Sequence, residues 1–249
     1  MGSARRGLAL TLVALTLCWS PVDLTGQGLS GSVLFVKPAN PKPFGRIDAT
    51  IRGARGGGIE LMSMTPKSEG PLTTTAQPTL YWFLSGKTDS AATFLLRRHG
   101  SRSPTAMFEC EIRGPIPAGV HEIKLSSYKV SLESNTDYSW SIKLQNAAET
   151  QKIDTIMSYI VVPDLRAIAD FREKVTATSP ENRYKLYNAN SYWYDALATI
   201  VALLDSRPLS SDYRSRYVEL LRAEGLDDVA ADAATPVSVA STCSASSSR

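Results

Sequence analysis

Histidine and cysteine are scarce in this sequence, whose 249 residues include two histidines and three cysteines. His121 is followed by a glutamate but lacks the second histidine of a helical zinc-protease motif. No two cysteines have the Cys-x-x-Cys spacing of structural zinc sites, and so few cysteines cannot frame a disulfide-rich miniprotein. The sequence therefore predicts neither a metal site nor a cofactor.

The short motifs of several enzyme classes are also missing. The sequence has no Gly-x-Ser-x-Gly nucleophile elbow, and the glycines at 56–58 are not followed by the Lys-Ser/Thr of a phosphate-binding loop. We therefore predict no catalytic residue. Carboxylates are plentiful without a recognisable pairing, which leaves a two-carboxylate glycosidase open. The formal net charge of +3 is small, and we predict no nucleic-acid partner.

Residues 1–26 have the pattern of a secretory signal peptide. Arg5 and Arg6 precede an apolar run over residues 8–19, and Pro21 and small residues follow. That run is shorter than the ~20 residues that cross a bilayer as a helix, and no longer apolar run occurs later. We predict an extracytoplasmic protein, periplasmic or secreted, whose mature chain begins between Pro21 and Leu29 and has no integral membrane segment.

The two ends of the mature chain are polar and poor in large apolar residues. Residues 27–57 combine prolines, glycines and five basic residues with a single acid, Asp48, which predicts a flexible basic linker. An arm that touches anionic surfaces is the alternative, but solvated tethers of this composition are common. The serine-rich residues 233–249 are predicted to be a disordered tail.

Residues 58–162 alternate between apolar and polar side chains in short runs separated by turns. The alternation is clearest over residues 138–144, and such strands predict an antiparallel β-sandwich. Residues 132–140, Leu-Glu-Ser-Asn-Thr-Asp-Tyr-Ser-Trp, resemble the start of strand F in immunoglobulin-like and fibronectin type III domains. The resemblance implies that the Tyr138 hydroxyl bonds to nearby backbone. No cysteine pair has antibody spacing around a central tryptophan, so the resemblance implies only a general sandwich.

Cys110 lies on the apolar face of one of these predicted strands. We expect it to be a free thiol that packs as a small hydrophobic residue. Cys243, in the polar tail, has no evident anchor, so we expect no bond between Cys110 and Cys243.

Residues 163–232 are predicted to be a small C-terminal helical domain. The central helix carries apolar residues at helical spacing around Trp193, and Asp195 falls on the opposite face. We expect Asp195 to be exposed, so that replacing it with alanine would change stability by less than about 0.5 kcal/mol. The predicted fold class is α+β, with an antiparallel immunoglobulin-like β-sandwich followed by these helices.

Two helices around Asn190 resemble a single tetratricopeptide hairpin. The aromatic, small, apolar and closing proline positions of that repeat match Tyr187, Ala196, Ile200, Leu203 and Pro208. Tyr184 departs from the pattern, because the repeat has a small residue there. No second copy is detectable, so the resemblance does not imply an extended peptide-binding array.

Taken with the signal peptide, these features resemble one group of secreted bacterial proteins, the domain-of-unknown-function family nine hundred twenty-eight. The similarity runs from about Leu72 to Ala230 and is strongest over residues 192–197 and in Gly225-Leu226-Asp227. The resemblance implies the layout described above. The family brings no established activity, substrate or catalytic residue.

Tyr192 and Tyr194 flank the apolar face of the central helix and are our candidates for partner binding. Packing at the rim between helices and sandwich is the alternative, since tyrosine is usually half-buried. The function we expect is that of an extracytoplasmic protein-interaction module without catalysis, whose partner is an unknown envelope protein. A cell-envelope glycan-binding protein or hydrolase is the alternative.

Overall fold

The computed structural model describes residues 49–52, 58–67, 71–100, 105–145, 155–232 and 243–245, all of which belong to one compact unit. Eight strands come first along the chain, five α-helices follow, and one short strand comes last among the described residues, so the α+β class is confirmed. The predicted signal peptide lies outside the described residues. The longest described helix has 14 residues, and no described helix is long and apolar enough to cross a membrane.

The strands form two antiparallel sheets. The strands are β1 (Ala49–Arg52), β2 (Gly58–Ser63), β3 (Thr79–Leu84), β4 (Ala92–Arg98), β5 (Phe108–Ile112), β6 (Gly119–Lys124), β7 (Thr136–Leu144), β8 (Thr155–Val162) and β9 (Cys243–Ala245). The smaller sheet has the order β1-β2-β3-β6, and the larger has the order β8-β7-β4-β5-β9. Side chains from both sheets share one apolar core.

The smaller sheet is covered on both faces. Strand β3 has the sequence Thr-Leu-Tyr-Trp-Phe-Leu, a continuous apolar run of the kind found in strands buried on both sides. Trp82 and its neighbours at alternate positions join the core between the sheets. Tyr81 and Phe83 point the other way and pack against the helices. The helices are therefore a third layer, placed on the outer face of the smaller sheet.

The helices are α1 (Ala169–Ala177), α2 (Pro180–Ala189), α3 (Trp193–Ser206), α4 (Ser211–Ala223) and α5 (Asp227–Asp232). Pro180 begins α2, as expected for a residue with no amide hydrogen to leave unpaired. Ser210 caps α4 by accepting a hydrogen bond from the Tyr213 amide at 3.3 Å. Gly225, at φ +65°, ends the same helix in the left-handed conformation that favours glycine.

The helices do not enclose a core of their own. Their apolar residues, including Trp193, Leu197 and Ile200, share a cluster with Met62 and Phe83 from the smaller sheet. The boundary that the sequence suggests at residue 163 therefore separates two kinds of secondary structure within one compact unit.

The hydrogen bond expected at Tyr138 is confirmed. Its hydroxyl accepts a hydrogen bond from the Glu133 amide at 2.9 Å, and its ring is fully buried in the core between the sheets. The bond ties the start of β7 to the turn that precedes it, as the leucine-to-tyrosine spacing implies.

Three expectations need correction. Residues 49–52 form strand β1 where the sequence predicted linker, and residues 243–245 form β9 where it predicted a disordered tail. The other residues of the predicted linker (27–57) and of the predicted tail (233–249) lie outside the described residues. Cys110 is disulfide-bonded, so the expectation of a free thiol is wrong. The sequence shows no anchor for the C-terminal segment, whereas in the structure β9 pairs with β5, and Ala245 lies opposite Cys110.

Candidate functional site

The first turn of α3 connects the helices to both sheets. Tyr194 is 1% exposed, and its hydroxyl donates to the Tyr159 carbonyl at 2.6 Å and accepts from Trp140 Nε1 at 2.8 Å. Trp193 Nε1 donates to the Met64 carbonyl at 2.8 Å. These two adjacent side chains therefore fix α3 to the larger and the smaller sheet respectively.

Residues 71–74, which we term the linking segment, run between the larger sheet and the α2–α3 turn. On one side, the Thr73 amide donates to the Val161 carbonyl of β8 at 3.2 Å. On the other, the Leu72 amide donates to the Ser191 carbonyl at 3.3 Å. The backbone of the linking segment is thus hydrogen-bonded to strand and helix layers at once, which satisfies polar groups that would otherwise be buried unpaired.

Asp195 holds the end of the linking segment. Its carboxylate accepts hydrogen bonds from the Thr74 amide at 2.9 Å and from the Thr74 hydroxyl at 2.7 Å. Burial raises the pKa of Asp195 above its ordinary value, and the hydrogen bonds from Thr74 oppose that rise. The expectation of an exposed Asp195 is wrong, because the side of α3 opposite its apolar face is covered here by the linking segment.

The two tyrosines singled out from the sequence are both buried. Tyr192 is 8% exposed, and its ring lies 4.7 Å from that of Phe171, centroid to centroid. Tyr194 has no surface to offer a partner unless the fold opens. Packing accounts for both positions, and the structure does not bring these two side chains together on an exposed surface.

A groove of about 520 Å³ lies between α2 and α3, on the side of α3 that faces away from the sheets. Among the described residues it is lined from α2 by Pro180, Arg183 and Tyr187, and from α3 by Asp195, Ala198, Thr199, Ala202, Leu203 and Ser206. Each set follows helical spacing, so each helix contributes one continuous face. The volume falls within the range of ~300–1,000 Å³ typical of ligand pockets.

The two ends of the groove differ in charge. Because the helices are antiparallel, Tyr187 at the end of α2 lies beside Asp195 at the start of α3, while Arg183 lies nearer the end of α3. Burial raises the pKa of Tyr187, and the negative charge of Asp195 adds to the rise. Arg183 is fixed by hydrogen bonds from Nε to the Thr178 carbonyl at 3.0 Å and from Nη2 to the Thr176 carbonyl at 3.3 Å.

Asp195 is the single carboxylate among the described lining residues of the groove, and both of its oxygens accept hydrogen bonds from Thr74. Glycoside hydrolysis ordinarily uses two carboxyl groups that flank the scissile bond. The groove instead offers an apolar floor with a few polar groups at its ends, the usual composition of a recognition site.

Sequence reasoning missed the groove. Ala198 and Ala202, one helical turn apart, are a signal that could have been noticed, because small residues at this spacing leave a concave strip along a helix. Thr74 gives no such signal, since it lies 121 residues from the carboxylate that it binds.

Neither histidine belongs to the groove. His121 is buried in β6, stacks on Trp82 with ring centroids 4.3 Å apart, and has Nε2 2.9 Å from the Pro117 carbonyl oxygen. Burial lowers the pKa of His121, which favours the neutral ring. His99 is exposed just after β4, and its ring contacts the Tyr159 ring edge-on, with the two ring centroids 5.3 Å apart. Across the described ranges, no three histidine, cysteine or acidic side chains cluster as metal ligands would.

Comparisons with known proteins give one family match. The model of the family described as Domain of Unknown Function (DUF928) matches residues 48–234. No curated protein matches the chain. Among solved structures, one similar chain is a multi-domain immunophilin from Arabidopsis thaliana, with 9% identity and a TM-score of 0.16 over 78% of this chain and 98% of that chain. A TM-score that low carries no argument about fold or function.

Proposed function

The chain belongs to the DUF928 family, and from that premise we propose that it is an exported protein-interaction module that acts without catalysis. In this proposal the α2–α3 groove receives a protein of the cell envelope. The observation that carries the proposal is the groove itself, about 520 Å³ in volume, with the apolar residues Ala198, Ala202 and Leu203 between polar ends.

A rigid support favours binding at this place. Recognition sites work best when their side chains are held by packing and by hydrogen bonds behind them. Asp195 is held by Thr74, and Arg183 is held by two carbonyl groups at the end of α1. The groove therefore has little side-chain entropy to lose at its two charged positions when a partner binds.

An extracytoplasmic location is supported by two independent observations. The N-terminal sequence has the charged and then apolar pattern of an export signal. Cys110 is disulfide-bonded, and disulfides persist mainly in oxidising compartments such as the periplasm and the extracellular space.

We also propose that the two sheets form an immunoglobulin-like sandwich. The order β8-β7-β4 in one sheet and β2-β3-β6 in the other corresponds to the G-F-C and A-B-E strands of that fold. The hydrogen bond between the Glu133 amide and the Tyr138 hydroxyl supports the same assignment. In this arrangement the sandwich is the scaffold that carries the helices.

The test uses two arginine substitutions at exposed helical alanines. Ala202→Arg places a long charged side chain on the groove floor, and Ala231→Arg places the same side chain on α5, outside the groove. Each variant, exported and tagged, is used to capture partners from the native envelope fraction, and both are first shown to melt like the unmodified protein. We expect Ala202→Arg to lose the captured protein and Ala231→Arg to keep it.

Two outcomes would overturn the proposal. If Ala202→Arg captures the same protein as the unmodified chain, the groove is not the binding site. If Ala202→Arg loses binding to isolated cell-wall glycan but captures every protein as well as the unmodified chain does, the glycan-binding alternative replaces a protein partner.

A further inference from the structure

The walls of the α2–α3 groove offer a partner no free backbone groups along most of their length. Both walls are α-helices, whose amide and carbonyl groups bond to one another except in the first and last turns. An extended peptide gains its affinity largely from main-chain hydrogen bonds to an open strand edge, which this groove lacks. A partner that already satisfies its own backbone suits the groove better, and an α-helix does so.

The floor of the groove has the shape that a helix needs for close approach. Ala198 and Ala202 lie one turn apart, with Tyr187 and Arg183 on the facing helix. Helices pack with axes ~8–10 Å apart when ridges of side chains on one enter grooves on the other, and small residues permit the closer distances. Large aliphatic side chains at positions i and i+4 of a partner helix would fill the space above the two alanines.

The length of the groove agrees with this. From Asp195 to Ser206 the floor follows α3 for 12 residues, which are 11 steps along the helix axis. At 1.5 Å per residue this is roughly 16 Å, or about three turns of a partner helix.

The charges at the two ends give the partner a direction. Every α-helix carries a partial positive charge at its N-terminus and a partial negative charge at its C-terminus. The N-terminus of a bound helix is therefore favoured at the Asp195 end, and its C-terminus at the Arg183 end. A basic side chain in the first turn and an acidic one in the last would add to the same preference.

We infer that the groove binds an amphipathic α-helix of the partner, with two large aliphatic residues over Ala198 and Ala202, its N-terminal end at Asp195 and its C-terminal end at Arg183. This inference rests on the proposed function, and it specifies the kind of element that the envelope partner contributes.

Two synthetic peptides test the inference on the full mature protein. Both are hydrocarbon-stapled, alanine-based helices of about 15 residues, long enough to cover the groove. Each has two leucines four residues apart on the face away from the staple. The first has a lysine in its first turn and a glutamate in its last, and the second has the two charges exchanged. Binding is measured by fluorescence anisotropy at low salt, where charge preferences are least screened.

We expect the first peptide to bind about tenfold more tightly than the second, a difference of about 1.4 kcal/mol. Ala202→Arg should abolish binding of the first peptide, and Ala231→Arg should leave it unchanged. Failure of the first peptide to bind, equal affinity of the two peptides, or binding of the first peptide that survives Ala202→Arg would each overturn the inference.

The outcomes also separate this inference from the proposed function. If Ala202→Arg loses the captured envelope protein while neither helical peptide binds, the groove is a protein-binding site for an element other than this helix. If Ala202→Arg keeps the captured protein, the proposed function itself falls.

Discussion

The hydrogen bonds between Asp195 and Thr74 allow a sharp test of how the helices are attached to the sheets. Asp195→Ala removes the acceptor of two hydrogen bonds, at 2.9 and 2.7 Å, and leaves the buried Thr74 amide without a partner. Hydrogen bonds to charged groups contribute about 1.5–3 kcal/mol each. The release of a buried charge from its desolvation penalty offsets part of that loss. We expect Asp195→Ala to lower the free energy of unfolding by about 2–4 kcal/mol.

Asp195→Asn separates the hydrogen bonds from the charge. The asparagine oxygen can accept from the Thr74 amide, and its NH₂ group can donate to the Thr74 hydroxyl, which is able to accept as well as donate. Both contacts survive in this variant, and the cost of burying a carboxylate disappears. We expect Asp195→Asn to lie within about 1 kcal/mol of the unmodified protein. Asp205→Ala, at an exposed aspartate of the same helix, is the matched control and should change stability by less than about 0.5 kcal/mol.

The pH dependence of stability gives a second readout on the same variants. Because the pKa of Asp195 is raised in the folded protein, folding favours its protonated form. The stabilisation from that proton is complete below the unfolded pKa of ~3.9 and is lost as pH rises through the folded pKa. Asp195→Asn cannot titrate, so relative to the unmodified protein it should become more stable as pH rises above about 4.

Urea denaturation, followed by tryptophan fluorescence at several pH values, measures all three variants. A loss under about 0.5 kcal/mol for Asp195→Ala would show that the contact with Thr74 contributes nothing to stability. An Asp195→Asn variant as unstable as Asp195→Ala would show that the negative charge, and not the pair of hydrogen bonds, secures the linking segment.

Four further outcomes are expected. Trp193→Ala should lower the free energy of unfolding, measured by urea denaturation, by about 3–5 kcal/mol, because it opens a cavity and leaves the Met64 carbonyl unpaired. A loss under about 1 kcal/mol would contradict the place of Trp193 in the core. Tyr194→Phe should lower the free energy of unfolding by about 1–3 kcal/mol, because it unpairs Trp140 Nε1 without changing the packing. An unchanged free energy of unfolding would contradict this prediction. Cys110 should resist thiol labelling in denaturant until its disulfide is reduced, and reduction should lower the free energy of unfolding by about 2–4 kcal/mol. Mass spectrometry of exported protein should place the mature N-terminus within residues 21–29, and retention of residues 1–19 would exclude a cleaved signal.

The features that the sequence predicts correctly depend on neighbours a few residues apart. Pro180 at the start of α2 and Gly225 at the end of α4 act through their own backbone angles, so their effect is visible without the fold. The Tyr138 hydrogen bond spans five residues and follows from a local spacing. Periodicity likewise finds the apolar face of α3, because a 3.6-residue repeat is a property of one helix.

Periodicity does not say what covers the other face, and this is why Asp195 was misplaced. A carboxylate opposite an apolar stripe is exposed on an isolated amphipathic helix. In this protein Thr74 covers it, from a segment 121 residues earlier in the chain. The pairing of β9 with β5 was missed for a related reason, since β9 comes from a segment with no apolar pattern of its own.

The aromatic residues at the start of α3 and the groove therefore lie on different faces of the same helix, and Asp195 belongs to both the distinctive run at residues 192–195 and the groove. That run is unusual because each of its side chains contacts a different part of the molecule. Tyrosine and tryptophan suit such positions because they combine a large apolar ring with a polar atom. The groove, by contrast, is lined along α3 mainly by small residues, Ala198, Thr199, Ala202 and Ser206, which leave a concave strip along the helix. Residues of unusual size mark the place where the helices join the sheets, and mostly common residues line the groove that we propose as the binding site.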